Sequence, residues 1–187
     1  MKLKLLETLR YGTVLGAICL LIPATALAAD ENHGQLSSSD YKFMREADLG
    51  GMAEVQLGQI AKDRATDPAV KQFAEKMVND HTQANQQLSQ LASQKGATLP
   101  TEIPASERRE TDHLLKLSGP EFDRAYMKHM VSDHKTDVKA FEHAAKKSSD
   151  PDVQAWAAKT LPTLQEHLQM AKQVDSNVKN ESSSTIQ

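Results

Sequence analysis

The sequence predicts an all-α fold: an up-down-up-down four-helix bundle with one extra short helix in its crossover. Apolar residues recur at steps of three and four along four long segments, and no segment alternates apolar and polar residues as a strand does. The pair Asp-Pro occurs at Asp67-Pro68 and again at Asp150-Pro151. Because Asp suits the N-cap and Pro the first position of a helix, each pair is expected to end one helix and start the next.

The first 28 residues have the pattern of a secretory signal peptide. Basic residues precede an apolar run over residues 11–22, and the segment closes on the small-x-small pattern Ala26-Leu27-Ala28. The run is shorter than the roughly 20 residues that a membrane-spanning helix needs. We therefore expect cleavage near Ala28, a periplasmic or secreted protein, and no stable membrane anchor after cleavage.

Loss of the signal peptide moves the formal net charge from −3 to −5 and removes Cys19, the one cysteine. An acidic chain lacks the basic patch that a nucleic-acid or anionic-membrane partner requires, so we predict neither partner. Without disulfides, stability must come from core packing. We divide the remainder into a flexible linker (29–38), one helical domain (39–175) and a disordered tail (176–187).

The helices follow from the positions of the helix-breaking residues. The sequence from Gly96 to Pro104 predicts the one long loop, and Gly119-Pro120 precedes the next long helix. Pro162 lies inside the last helical pattern and is expected to bend that helix near Leu161. The predicted long helices are 39–65, 68–95, 120–147 and 151–175, with the short helix at 105–117.

Each long helix carries one polar residue in its inward-facing apolar stripe, namely Glu54, His81, His134 and His167. These residues lie 13, 14, 16 and 17 positions from the nearest Asp-Pro corner. In an up-down-up-down bundle both corners lie at the same end. At about 1.5 Å of rise per residue, the four side chains should then share one layer.

Two interpretations of this layer remain open. A buried carboxylate needs a partner, and imidazole with carboxylate suits a divalent transition metal or copper, so Glu54, His81, His134 and His167 are candidate metal ligands. Methionines one turn from the histidines (Met77, Met130, Met170) would favour Cu(I), although methionine at helical spacing is more often a core-filling residue. The alternative is a hydrogen-bonded polar layer in a structural or stress-related module with no ligand. Asp80 and Asp133, each beside a layer histidine, are expected toward the helix flanks, as partners of the histidines or as solvated charges.

The residues three before each histidine are Val78, Val131 and Leu164, so the Glu-x-x-His pairs of two-iron bundles are absent. No catalytic order of Ser, His and Asp and no cofactor fingerprint appears either. We assign no catalytic residue and favour a protein that is not an enzyme.

Several motifs between Asp40 and Val174 resemble the bacterial family called domain of unknown function 4142. They are Phe73-Ala74-x-x-Met77-Val78-x-Asp80-His81, Gly119-Pro120-x-Phe122-Asp123-x-x-Tyr126, Val131-x-x-His134 and Leu161-Pro162-x-Leu164-x-x-His167-Leu168-x-x-Ala171. The resemblance implies an exported, ferritin-like four-helix bundle of the cell envelope.

Overall fold

The computed structural model describes residues 32–103, 105 and 108–184 of the chain, and these residues form five helices. They are α1 (Ser38–Arg64), α2 (Pro68–Gln94), α3 (Arg109–Leu114), α4 (Gly119–Lys147) and α5 (Pro151–Ser184). No strand occurs among the described residues, so the all-α bundle with a short helix in the crossover is confirmed. The expected signal peptide, residues 1–28, and its cleavage site lie outside the described residues.

Both Asp-Pro pairs form the helix corners that the sequence predicts. At the α1–α2 corner, the Asp67 carboxylate accepts hydrogen bonds from the backbone N–H groups of Ala69 and Val70 at 2.6 and 3.3 Å. At the α4–α5 corner, Asp150 accepts in the same way from Asp152 and Val153 at 2.9 and 3.2 Å. Each carboxylate thereby satisfies N–H groups that the first turn of a helix leaves free.

The direction of the helices differs from the prediction. Asp123, near the start of α4, hydrogen-bonds the α1–α2 corner at Asp67, whereas Asp40, near the start of α1, hydrogen-bonds the α4–α5 corner at Asp150. The two corners therefore lie at opposite ends of the bundle. The helix order is up-down-down-up rather than up-down-up-down.

The crossover explains this order. A helix of 27 residues is about 40 Å long, and residues 95–118 between α2 and α4 are numerous enough to cover that length, so α4 can start at the far end. Lys95, at the end of α2, pairs with Asp150 and Asp152 at the α4–α5 corner, with distances of 2.7 and 2.6 Å. Helix α1 packs on α2 and α4, and α5 packs on α4 and α2, so each long helix is antiparallel to both neighbours.

The apolar core is divided into two clusters, one toward each corner. The cluster at the α1–α2 corner includes Leu57, Ala61, Val70, Phe73, Met77, Leu114, Phe122, Tyr126, Met130, Ala171 and Val174. The cluster at the α4–α5 corner includes Tyr41, Met44, Leu88, Leu91, Phe141, Ala144, Val153, Trp156 and Leu164. On every long helix, the predicted polar residue falls between a member of one cluster and a member of the other.

Helix α5 continues beyond its predicted end at residue 175, as far as Ser184. The reason is that the apolar stripe continues: Val178, four residues after Val174, is only 5% exposed and joins the same cluster. The predicted disordered tail therefore starts too early. Helix α5 passes through Pro162 without ending, and the predicted bend near Leu161 stays a prediction.

The described part of the predicted flexible linker is held in place. Gln35 donates a backbone hydrogen bond to the Lys95 carbonyl, and Thr98 donates one to the Asn32 carbonyl, at 2.9 and 3.0 Å. Gly34 has a φ of +58°, a conformation that glycine adopts without a steric penalty.

None of the described helices combines the length and hydropathy that a membrane crossing requires.

Candidate metal centre

The structure brings the four predicted residues together in one layer between the two apolar clusters. His134 and His167 are fully buried, Glu54 is 1% exposed and His81 is 5% exposed. The layer forms although the corners lie at opposite ends, because each residue stands near the middle of its helix. A position near the middle has almost the same height whether the helix runs up or down.

Glu54 on α1 contacts two of the histidines. Its Oε2 lies 2.9 Å from Nδ1 of His81 on α2, and its Oε1 lies 3.3 Å from Nδ1 of His134 on α4. The Nδ1 of His134 also lies 3.1 Å from the backbone carbonyl of Met130, one turn earlier, and this carbonyl is its hydrogen-bond acceptor. Oε1 of Glu54 is consequently left without a hydrogen-bond partner among the described residues.

His167 on α5 is held from the opposite side by Asp80 on α2. Its Nε2 lies 2.8 Å from Oδ2 of Asp80, whose side chain is 28% exposed and also pairs with Lys76 at 3.0 Å. Burial by itself would raise the pKa of Asp80, but hydrogen bonds from His167 and Lys76 lower it overall. Asp80 is therefore an ionised acceptor, and the proton between the two residues belongs to Nε2 of His167.

The ring nitrogens that remain face one another. Nε2 of His134 and Nδ1 of His167 lie 3.4 Å apart, and Nε2 of His81 is buried without a hydrogen-bond partner among the described residues. One ring nitrogen from each histidine lies within 4.8 Å of one from the other two. The ring centroids form a nearly equilateral triangle with sides of 5.3 to 5.6 Å.

The histidines are neutral at pH 7. Burial lowers the pKa of His81 and of His167 to about 4, and it lowers the pKa of His134 as well. A neutral imidazole whose one nitrogen donates a hydrogen bond presents a bare lone pair on the other. The arrangement can therefore offer three lone pairs to one electrophile, and their chemistry fits a transition-metal ion.

Two acidic residues complete the surroundings of the layer. Asp80 follows one of the two interpretations given to it from the sequence, but it contacts His167 across the α2–α5 interface rather than the adjacent His81. Asp137 was missed. It lies three residues after His134, a spacing that puts two side chains on the same helix face, and it forms a second close set of ligand atoms with Glu54 and His134.

Solved structures with the same fold include a DUF305 fragment from Deinococcus radiodurans, with a TM-score of 0.67, 14% identity, and coverage of 76% of this chain and 98% of that one. They also include CopM in a Cu(I)-bound form (TM-score 0.63, 16% identity, 74% and 96% covered). CopM in a Cu(II)-bound form matches with a TM-score of 0.62, 16% identity, and coverage of 74% and 97%. At such identities the likeness establishes the fold alone. A search of curated protein sequences finds no match.

The sequence profile of a domain of unknown function, DUF4142, matches residues 25–174. The match covers most of the chain and confirms the resemblance noted from the motifs. The protein belongs to the DUF4142 family.

Proposed function

We propose that this DUF4142 protein binds a transition-metal ion through His81, His134 and His167. Glu54 would orient the rings of His81 and His134, and Asp80 the ring of His167, without binding the ion themselves. Carboxylates orient histidine ligands in this way in metal proteins. The observation that carries the proposal is the 3.4 Å approach of Nε2 of His134 to Nδ1 of His167. Each ring already donates its N–H elsewhere, so neither nitrogen has a proton to give the other.

A purely structural polar layer accounts less well for this contact. Two facing lone pairs repel each other, and His81 adds a third buried nitrogen without a partner. One water molecule has two protons and cannot satisfy three acceptors. A single cation at the centre of the triangle would satisfy all three at once, with Zn–N bonds of about 2.0 to 2.1 Å as a guide to the distances involved.

Copper is the ion that we propose first. Among divalent first-row metals, Cu(II) binds nitrogen ligands most tightly, and imidazole suits it. The structurally similar CopM was solved with Cu(I) and with Cu(II). Met77 and Met130, both fully buried, stand one turn from His81 and His134, so thioether sulfur, a soft ligand for Cu(I), is available near the layer.

The setting that we propose is the cell envelope, which the protein would reach through the signal peptide at residues 1–28. All three histidines are buried, so the site is closed to solvent. Such a site suits a tightly bound ion better than a catalytic ion that must be open to substrate. The role would then be to bind copper outside the cytoplasm, without catalysis.

The test is metal binding to the purified protein without an affinity tag. We expect about one Cu(I) or Ag(I) per chain in competition with a chromophoric chelator, and weaker binding of Zn²⁺. At a free metal concentration 100 times the Kd, binding adds about 2.7 kcal/mol of stability. In a protein of this size that corresponds to a rise in Tm of about 5 to 10 °C, reversed by a chelator.

The matched variants are His134→Gln, in the layer, and His129→Gln, partly exposed on the same helix. The first should abolish the metal-induced rise in Tm and the second should leave it unchanged, while circular dichroism verifies that both remain helical. If no metal shifts the Tm of the wild-type protein, the layer is structural and the proposal is wrong.

A further inference from the structure

We infer that the chain holds a second cation site beside the three histidines, formed by the carboxylates of Glu54 and Asp137 and suited to a hard divalent ion such as Mn²⁺. The inference rests on the proposed function only in that Glu54 borders both sites. Its ligands, its chemistry and its accessibility differ from those of the imidazole cluster.

The geometry gives the first support. One ligand atom from each of Glu54, His134 and Asp137 lies within 4.8 Å of the other two. Since Nδ1 of His134 donates to the Met130 carbonyl, the two carboxylates are the ligands that we assign. Oxygen ligands of this kind are preferred by Mg²⁺, Ca²⁺ and Mn²⁺, whereas the imidazole cluster prefers softer ions.

The second support is an unpartnered buried atom next to a cavity. Oε1 of Glu54, a residue 1% exposed, has no hydrogen-bond partner among the described residues. Glu54 and Asp137 both line a cavity of about 20 Å³, together with His81, Gly51 and other residues. That volume accommodates one water molecule or one ion. A buried carboxylate oxygen is costly to leave unsatisfied, so an occupant of this cavity would stabilise it.

The charges around the cavity favour a cation as the occupant. No Lys, Arg or His side chain among the described residues forms an ion pair with Asp137. The carboxylate of Asp133, one turn before Asp137, adds negative charge near both Glu54 and Asp137.

Access also separates the two sites. Asp137 is half-buried on α4, so one ligand of the carboxylate site reaches solvent, while all three imidazoles are enclosed. A hydrated ion can therefore approach Asp137 and keep part of its water shell. Ions such as Mg²⁺ and Mn²⁺ are often held in this manner, by one or two carboxylates together with water.

The test fills the imidazole cluster with Ag(I) and then titrates the full protein with Mn²⁺, following free Mn²⁺ by electron paramagnetic resonance. We expect about one Mn²⁺ per chain in the wild type. Asp137→Asn should weaken Mn²⁺ binding at least tenfold and leave the Ag(I) stoichiometry unchanged. Glu121→Gln, an exposed acidic residue on the same helix, should weaken neither ion.

The outcomes distinguish the two proposals. Ag(I) binding without Mn²⁺ binding, or Mn²⁺ binding that Asp137→Asn leaves intact, would overturn the second site and leave the imidazole site standing. If Ag(I) does not bind, the same Mn²⁺ titration is made on the metal-free protein. One Mn²⁺ that Asp137→Asn removes would then support the carboxylate site while the proposed function fails.

Discussion

Asp40 and Asp123 occupy equivalent places in the two halves of the bundle, and each holds the corner of the other half. Oδ2 of Asp123 accepts hydrogen bonds from the Thr66 hydroxyl at 2.6 Å and from the Asp67 N–H at 2.9 Å. Oδ2 of Asp40 accepts from the Ser149 hydroxyl at 2.6 Å and from the Asp150 N–H at 3.0 Å. The α1–α2 hairpin and the α4–α5 hairpin are thus clamped together at both ends.

These clamps should contribute strongly to stability. Asp123→Ala leaves several donors at the α1–α2 corner without an acceptor, and we expect it to lower the free energy of unfolding by about 2 to 3 kcal/mol. Asp40→Ala should have a similar effect at the other corner. Urea unfolding followed by circular dichroism measures both. Glu121→Ala, exposed in the first turn of α4, is the control and should lower the free energy of unfolding by well under 1 kcal/mol. If Asp123→Ala lowered it no more than Glu121→Ala does, the hydrogen bonds of Asp123 would not stabilise the corner.

Asp80 should influence metal affinity without touching the metal. Asp80→Asn removes the charge that holds the proton on Nε2 of His167, so Nδ1 of that ring is no longer fixed as a lone pair. We expect a loss of about 10- to 100-fold in copper or silver affinity. Chelator competition measures it, with Glu75→Gln on the same helix as the control. An affinity unchanged by Asp80→Asn would show that metal binding does not depend on the orientation of His167 by the Asp80 carboxylate.

The adjacent glycines of α1 should respond oppositely to substitution. Apart from the backbone of its own helix and its chain neighbours, no atom of the described residues lies within 4 Å of the place where a Cβ on Gly50 would stand. Gly50→Ala should therefore stabilise the helix by about 0.5 to 1 kcal/mol. A Cβ on Gly51 would overlap the side-chain amide of Asn85. In the amide orientation that satisfies both side-chain atoms of Asn85, its oxygen accepts a hydrogen bond from the Met52 N–H at 3.1 Å. Its nitrogen donates one to the His81 carbonyl at 3.2 Å.

Gly51→Ala should therefore lower the Tm, while Gly50→Ala raises it. Thermal unfolding of the two variants against the wild type is sufficient, since each serves as the control for the other. A rise in Tm for both would mean that Asn85 can move away from α1 without cost.

Asp48 should make stability depend on pH. It is 6% exposed, and burial raises its pKa from 3.8 to about 6. Between these values the folded protein keeps a proton that the unfolded chain has lost, so this residue makes stability fall as the pH rises through that window, and the deficit is complete above about pH 6.

Asp48→Asn cannot ionise and should remove this deficit. Allowing for solvent near the carboxyl group, we expect the variant to be about 1 to 2 kcal/mol more stable than the wild type at pH 8, and about equal at pH 4. Urea unfolding at the two pH values measures it. Asp63→Asn, exposed on the same helix, should show no such difference, and an advantage of Asp48→Asn that persists at pH 4 would contradict the mechanism.

The site could be predicted only in part from the sequence. Helical periodicity is local, and it is enough to place Glu54, His81, His134 and His167 on inward faces at similar heights. Which nitrogen of each ring faces inward depends on hydrogen-bond acceptors that lie on other helices, such as Asp80 on α2 for His167. The spacing of residues along the chain does not identify these acceptors. Asp137 was missed because its half-buried position does not interrupt an apolar stripe.

The sequence by itself determined the helices, the two Asp-Pro corners and the inward polar residue on each long helix, because capping and side-chain periodicity act over a few residues. Tertiary structure decided the direction of the α4–α5 hairpin, since residues 95–118 are long enough to start α4 at either end, and contacts such as Asp123 with Asp67 select one. It also decided the length of α5, because Val178 is buried only as part of an apolar cluster to which other helices contribute. Four polar residues became one layer because residues at mid-helix meet whichever way each helix runs.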